Sequence, residues 1–158
     1  MANGSNSEKA STDAGGTVAH ETILHASCVA VDGRALLVLG ASGSGKSTVA
    51  LDLISLGATL VADDRTVVRS DTSGLIVSPP SPIAGRIEAR NVGLLRLPYC
   101  AEAELVLALD LDRTEEHRLP PRRETTILGQ TVTLLYRPPA VHFASALLHC
   151  LRNRRETP

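Results

Sequence analysis

The sequence predicts an α/β domain, a P-loop nucleotide-binding fold with a mixed central sheet. Three features of the 158-residue chain lead there. Residues Gly40-Ala41-Ser42-Gly43-Ser44-Gly45-Lys46-Ser47-Thr48 fit the phosphate-loop pattern G-x-x-x-x-G-K-[ST]. An apolar run of strand length, Arg34 to Leu39, enters that loop. Thr48 to Leu56 leaves it with Val49, Ala50, Leu53 and Ile54 at helical spacing.

Each part has a physical reason. Glycines let the loop backbone curl so that successive N–H groups point inward at an anion. Lys46 is then in position to reach the β- and γ-phosphates, and the Ser47 hydroxyl to ligate Mg²⁺. A helix N-terminus directly after the loop adds further free N–H groups. Strand, loop and helix together predict a nucleoside triphosphate site.

Taken in order, Met1 to about Thr22 is rich in Ser, Gly, Ala, Asn and Thr and reads as a disordered tail (1–22), with the domain following over 23–155. Ser27 to Val31, Asp32-Gly33 and Arg34 to Leu39 form a hairpin with a two-residue type I′ turn. Gly57 ends the helix. Ala58 to Ala62 is a short strand ending in Asp63-Asp64. Thr66 to Arg69 and Leu75 to Val77 flank a turn and make a second hairpin. Ser78-Pro79-Pro80-Ser81-Pro82 breaks the chain. Leu105 to Asp110 reads as a central strand, residues 113–124 as a surface loop, and Thr125 to Leu135 as one or two strands. The last element, Ala140 to Leu151, reads as a helix with Val141, Ala144, Leu148 and Leu151 on one face. Arg152, Arg154 and Arg155 at its end complement the helix dipole.

Composition narrows the function classes. A net charge of −1 argues against a general nucleic-acid binder. Cys28, Cys100 and Cys150 are widely spaced and form no C-x-x-C pair, which fits reduced thiols of a cytoplasmic protein. No apolar run approaches a membrane span, so no membrane partner is expected. The absence of Trp excludes adenine stacking on an indole.

Phosphoryl transfer needs a carboxylate near the metal at the end of a strand beside the loop strand. Asp110 after Leu105 to Leu109 and the pair Asp63-Asp64 both qualify, and spacing alone does not choose.

The whole constellation does. His25, the hairpin, Gly40 to Thr48, Val61-Ala62-Asp63-Asp64 placed 17 residues beyond Lys46, and Ile87-Glu88-Ala89-Arg90-Asn91-Val92-Gly93 resemble the catalytic domain of HPr kinase/phosphorylase. The resemblance runs from about residue 23 to 152, and the chain looks like the short form that lacks a separate N-terminal domain. It implies ATP- and Mg²⁺-dependent phosphorylation of a serine on the phosphocarrier protein HPr, with reversal by phosphorolysis. On this chain it implies that Gly40, Ala41, Ser42, Gly43, Ser44, Gly45, Lys46, Ser47 and Thr48 hold phosphate. Ser47 and Glu88 would hold the metal, and Asp63 or Asp64 would move the proton of the substrate serine. His25 matches an active-site histidine, and Arg118 an arginine near the transferring phosphate. Longer members assemble as hexamers, which raises a homo-oligomer here and leaves its size open.

The chain departs from the family pattern at three places. Ala26 stands where Gly commonly follows the histidine, and Asn91 where the signature has Gly. Asn tolerates the left-handed region well enough to keep that turn. A family loop of the form R-P-G-R-N reads Arg137-Pro138-Pro139-Ala140, a change that bears on phosphorolysis more than on phosphorylation. Two rival readings are a P-loop kinase for a small metabolite, which needs an Arg-rich lid, and a non-catalytic ATP-sensing module acting on a signalling partner. Whether phosphate leaves ATP, and for which acceptor, separates the three.

Overall fold

The computed structural model describes residues 9–12, 18–153 and 155–156. In chain order the strands are β1 (Lys9–Thr12), β2 (Val18–Leu24), β3 (Ala26–Val31) and β4 (Arg34–Leu39), followed by helix α1 (Lys46–Ser55). Strands β5 (Thr59–Ala62), β6 (Thr66–Asp71), β7 (Gly74–Ser78), β8 (Arg86–Ala89) and β9 (Gly93–Arg96) come next. Strands β10 (Ala103–Thr114), β11 (Glu124–Ile127) and β12 (Gln130–Arg137) and helix α2 (Ala144–Arg152) complete the fold.

Ten of these strands make one mixed sheet, in the order β1-β2-β6-β7-β10-β4-β3-β5, with β12 branching from β10 and β11 from β12. The long β10 is its hub. It runs parallel to β4 along one edge, while its other edge pairs first with β7 (antiparallel) and then with β12 (parallel). Strands β8 and β9 form a separate hairpin.

Both faces of β3 and β4 are buried. Val29, Val31, Leu36 and Val38 pack under α1 and α2, and Cys28, Ala30, Ala35 and Leu37 pack against residues of β6, β7 and β10. Near-continuous apolar runs follow from that double burial. Full burial of Leu36, Leu37 or Leu53 contributes about 2 kcal/mol each.

The β3–β4 turn has Asp32 at φ 51° and Gly33 at φ 78°, the geometry that its two residues predict. Helix α1 ends with Gly57 N–H on Ile54 O at 3.1 Å and Ala58 N–H on Leu53 O at 3.0 Å, a Schellman pair that requires the positive φ at Gly57.

Four expectations change. The predicted tail falls largely outside the described residues, but Lys9–Thr12 and Val18–Leu24 are strands, so structure begins before Ile23. The edge of β6 supplies the reason, since it pairs with His20 to Leu24 residue by residue and buries Thr22. Helix α2 starts at Ala144 rather than Ala140, behind Pro138-Pro139, and Val141 is exposed. Arg152 sits in its last turn, Arg155 instead donates to Pro120 O, and Arg154 lies outside the described residues. The polar 113–124 stretch is a loop only after Thr114, and it buries Glu115 at 6% exposure. Burial alone would raise that carboxyl, but hydrogen bonds from the His117 N–H, Arg123 and the His117 ring outweigh it and hold it below the usual glutamate range.

Candidate active site

The glycine loop connects β4 to α1 on one side of the sheet. Ser44 N–H returns to Ala41 O at 3.0 Å, and Gly43 and Gly45 take φ of 83° and 104°. A Cβ on Gly40 would lie 2.5 Å from Ser44 Oγ and 3.2 Å from Leu111 Cβ, so only glycine fits there. The N-terminus of α1 has neither a side-chain cap nor an acidic residue in its first turn. Its N–H groups are therefore available to an anion. Lys46 is buried, with Nζ 2.9 Å from Gly40 O and 3.1 Å from Ala41 O, and an ammonium has a third donor to spare.

Two further side chains brace this loop. Asp112 accepts the Ala41 N–H with both carboxylate oxygens at 3.1 Å. Arg137 donates to Ser44 O at 2.6 Å and to Leu111 O at 3.1 Å. The sequence gives no signal for Asp112, because the predicted strand end at Asp110 hid that β10 runs on to Thr114. Asp110 itself accepts the Asp112 N–H and lies 3.9 Å from Arg113.

At the end of β5 the two adjacent aspartates have different surroundings. Asp63 is 7% exposed and accepts three hydrogen bonds, from Ser47 Oγ at 2.6 Å, Ser27 Oγ at 2.8 Å and the Glu88 N–H at 3.0 Å. Asp64 turns outward at φ 66°, and its carboxylate meets His25 Nε2 at 2.6 Å. Ser27 fixes both, since its hydroxyl donates to Asp63 and accepts the Asp64 N–H at 3.2 Å. That serine escaped the sequence reading. Only the β3–β5 register, which sets Cys28 beside Ala62, reveals it.

A cavity of about 200 Å³ opens over these groups. Ser42, Gly43 and Gly45 to Thr48 line its loop side, and Asp64, Glu88 and Arg90 the other. Glu88 comes from β8, and Asn91 holds the β8–β9 turn at φ 65°, the conformation its side chain tolerates in place of Gly. Arg118 is not brought here. It is exposed and lines a separate cavity of about 550 Å³ between β12, α2 and the 115–120 loop.

The geometry fits a phosphate chain with a hard cation. Ser47 gives its proton to Asp63, which leaves the Oγ lone pairs free for a metal, and Glu88 adds a carboxylate on the same cavity. No group of three or more His, Cys, Asp or Glu side chains forms a metal cage among the described residues. Mg²⁺ normally takes only one or two protein ligands beside phosphate and water, so such a cage is not required.

Comparison with known proteins agrees with this geometry. Residues 16–105 match the family model "HPr Serine kinase C-terminal domain". The chain belongs to that family. An HPr kinase/phosphorylase of Clostridium tetani is 42% identical over 81 residues, 51% of this chain and 27% of the relative. One from Clostridium acetobutylicum is 33% identical over 108 residues, 64% of this chain and 36% of the relative. The chain thus spans between about a quarter and a third of the length of these curated relatives. The solved HPr(Ser) kinase/phosphatase of Coxiella burnetii superposes with a TM-score of 0.72 at 26% identity, over 84% of this chain and 90% of that one. The family match takes in His25, the glycine loop, Asp63-Asp64 and Glu88, and stops before Arg118 and Arg137. The family fold, a mixed α/β domain, is the one described above. No helix among the described residues is long and apolar enough to cross a membrane.

Proposed function

We propose that the chain transfers the γ-phosphoryl group of ATP to a serine hydroxyl of the phosphocarrier protein HPr. The observation that carries this reading is the division of labour between two adjacent aspartates. One is buried on the phosphate-loop serine; the other faces the cavity beside a histidine.

Serine is a weak nucleophile at neutral pH and needs a positioned base. Asp64 has that position. It takes the hydroxyl proton as the serine oxygen bonds to the γ-phosphorus and the bond from that phosphorus to the β–γ bridging oxygen breaks, releasing ADP. His25, 2.6 Å from the Asp64 carboxylate, orients it. Asp63 has its lone pairs committed to three donors and serves to hold Ser47, Ser27 and the β8 backbone in place. Lys46 and the first-turn N–H groups of α1 stabilise charge on the phosphate oxygens. Ser47 Oγ and Glu88 would hold Mg²⁺, which would supply further neutralisation of the phosphate charge.

The reverse reaction would use the same proton path: an oxygen of inorganic phosphate bonds to the phosphorus of phosphoserine, the bond from that phosphorus to the serine oxygen breaks, Asp64 returns the proton to the serine oxygen, and pyrophosphate is released. Arg137, whose guanidinium is already engaged by Ser44 O and Leu111 O, together with Pro138-Pro139, gives a stiffer and less basic loop than the family's, a change that bears on phosphorolysis more than on phosphorylation. The supporting family match, and the cysteine pattern with its reduced thiols, fit a cytoplasmic enzyme. Asp64→Asn is expected to abolish transfer to HPr while nucleotide affinity stays unchanged. Full transfer by that variant would sink the assignment of the base.

A further inference from the structure

Beside Glu88, the outer face of the β8–β9 hairpin carries groups for which neither packing nor phosphoryl transfer has a use. Strand alternation turns Ile87, Ala89 and Leu95 inward toward the core under α1. Arg86, Glu88, Leu94 and Arg96 consequently share the opposite face, with Glu88 beside Leu94 and Arg86 beside Arg96. Leu94 is 64% exposed, and Val92 in the turn 78%. None of the ion pairs among the described residues includes Arg86, Arg90 or Arg96. Two like charges directly across a strand pair destabilise it, and so do two large aliphatic side chains left in water. The face is also continuous with the cavity. Glu88 and Arg90 line both, and the Glu88 N–H to Asp63 bond pins the hairpin to the carboxylate centre.

We propose that this face is the docking surface for the protein substrate, and that it takes a segment pairing acidic with apolar side chains beside the phosphorylated serine. The proposal rests on the transfer reading above. Arg86 and Arg96 lie two residues along the hairpin from Glu88 and Leu94, roughly 7 Å, within reach of residues flanking a serine seated at Asp64. Charge complementarity draws the acidic groups in and fixes the register, while Val92 and Leu94 supply the apolar contact at the cavity rim. A small-molecule acceptor held within a cavity of about 200 Å³ has no need of such a surface.

The test is steady-state phosphorylation of HPr by the full chain and by Arg96→Glu, Leu94→Ser and Arg96→Lys, none of which replaces a residue assigned to the phosphate, the metal or the proton. Arg96→Glu and Leu94→Ser should each raise KM for HPr about tenfold, with kcat and the dissociation constant for the magnesium nucleotide within about twofold. Arg96→Lys should keep most of the wild-type KM, and added salt should weaken the wild type more than Arg96→Glu. An unchanged KM for HPr in both Arg96→Glu and Leu94→Ser overturns the docking surface and leaves the transfer reading standing. A wild-type chain that leaves HPr unphosphorylated overturns the transfer reading and the docking surface with it. Nucleotide affinity that falls in step with HPr affinity assigns the face to the nucleotide and also overturns the proposal.

Discussion

Replacing the two aspartates one at a time separates a structural carboxylate from a chemical one. In Asp63→Ala, three donors lose their acceptor at once. Of these, Ser27 is fully buried and Ser47 and the Glu88 N–H are part-buried. Hydrogen bonds to an ionised group are worth about 1.5–3 kcal/mol each, and removing the cost of burying Asp63 offsets part of that sum. The expected net loss is about 3 kcal/mol, which for a chain of this size is a fall in Tm of about 6–12 °C. Asp64→Asn, which keeps a residue suited to the φ of 66°, disturbs only the bond to His25, a pair whose two side chains are 48% and 60% exposed. Such a pair contributes less than about 1 kcal/mol, so Tm should move by about 3 °C or less while transfer disappears. Thermal denaturation followed by circular dichroism, run beside a phosphoryl-transfer assay, reads both. Equal Tm shifts in the two variants, or a destabilised Asp64→Asn with normal transfer, would refute the assignment.

Gly40→Ala forces a Cβ to within 2.5 Å of Ser44 Oγ and should weaken nucleotide binding at least about tenfold, measured by titration with a fluorescent nucleotide. Arg137→Ala removes the brace on Ser44 O and Leu111 O and should lower nucleotide affinity about tenfold, whereas Arg118→Ala, in the separate cavity, should leave it unchanged. The depressed Glu115 carboxyl contributes stability that is fully present above the ordinary glutamate value of about 4.3 and is lost as pH falls through its lower folded value. The Tm margin of the wild type over Glu115→Gln should accordingly stay constant near neutrality and shrink below about pH 4.

The local parts of this fold were legible in the sequence because short-range chemistry sets them. Asp32-Gly33 can hold a type I′ turn, Gly57 can close a helix, and the loop pattern demands a strand before it and a helix after. What could not be read depends on register between distant segments. Ser27 reaches Asp63 only because β3 lies against β5, and Asp112 reaches Ala41 only because β10, paired with β4 as far as Asp110 beside Leu39, runs on to Thr114. Polar character misled the reading at Glu115, where Arg123 and His117 make a charged side chain tolerable inside. It misled it also before Ile23, where the free edge of β6 recruits a segment of low hydrophobicity. Arg118 matched a family position by sequence, but the loop that carries it folds against α2 and β12 instead of the glycine loop.

The central claim is that phosphate leaves ATP at the glycine loop and arrives on a protein serine. Incubating the chain with labelled ATP, Mg²⁺ and purified HPr, then locating the label by mass spectrometry of HPr peptides, tests it most directly. The account predicts one labelled serine on HPr, lost in Asp64→Asn. Label that stays on ATP despite measured nucleotide binding, or that appears only on a small molecule, would contradict it.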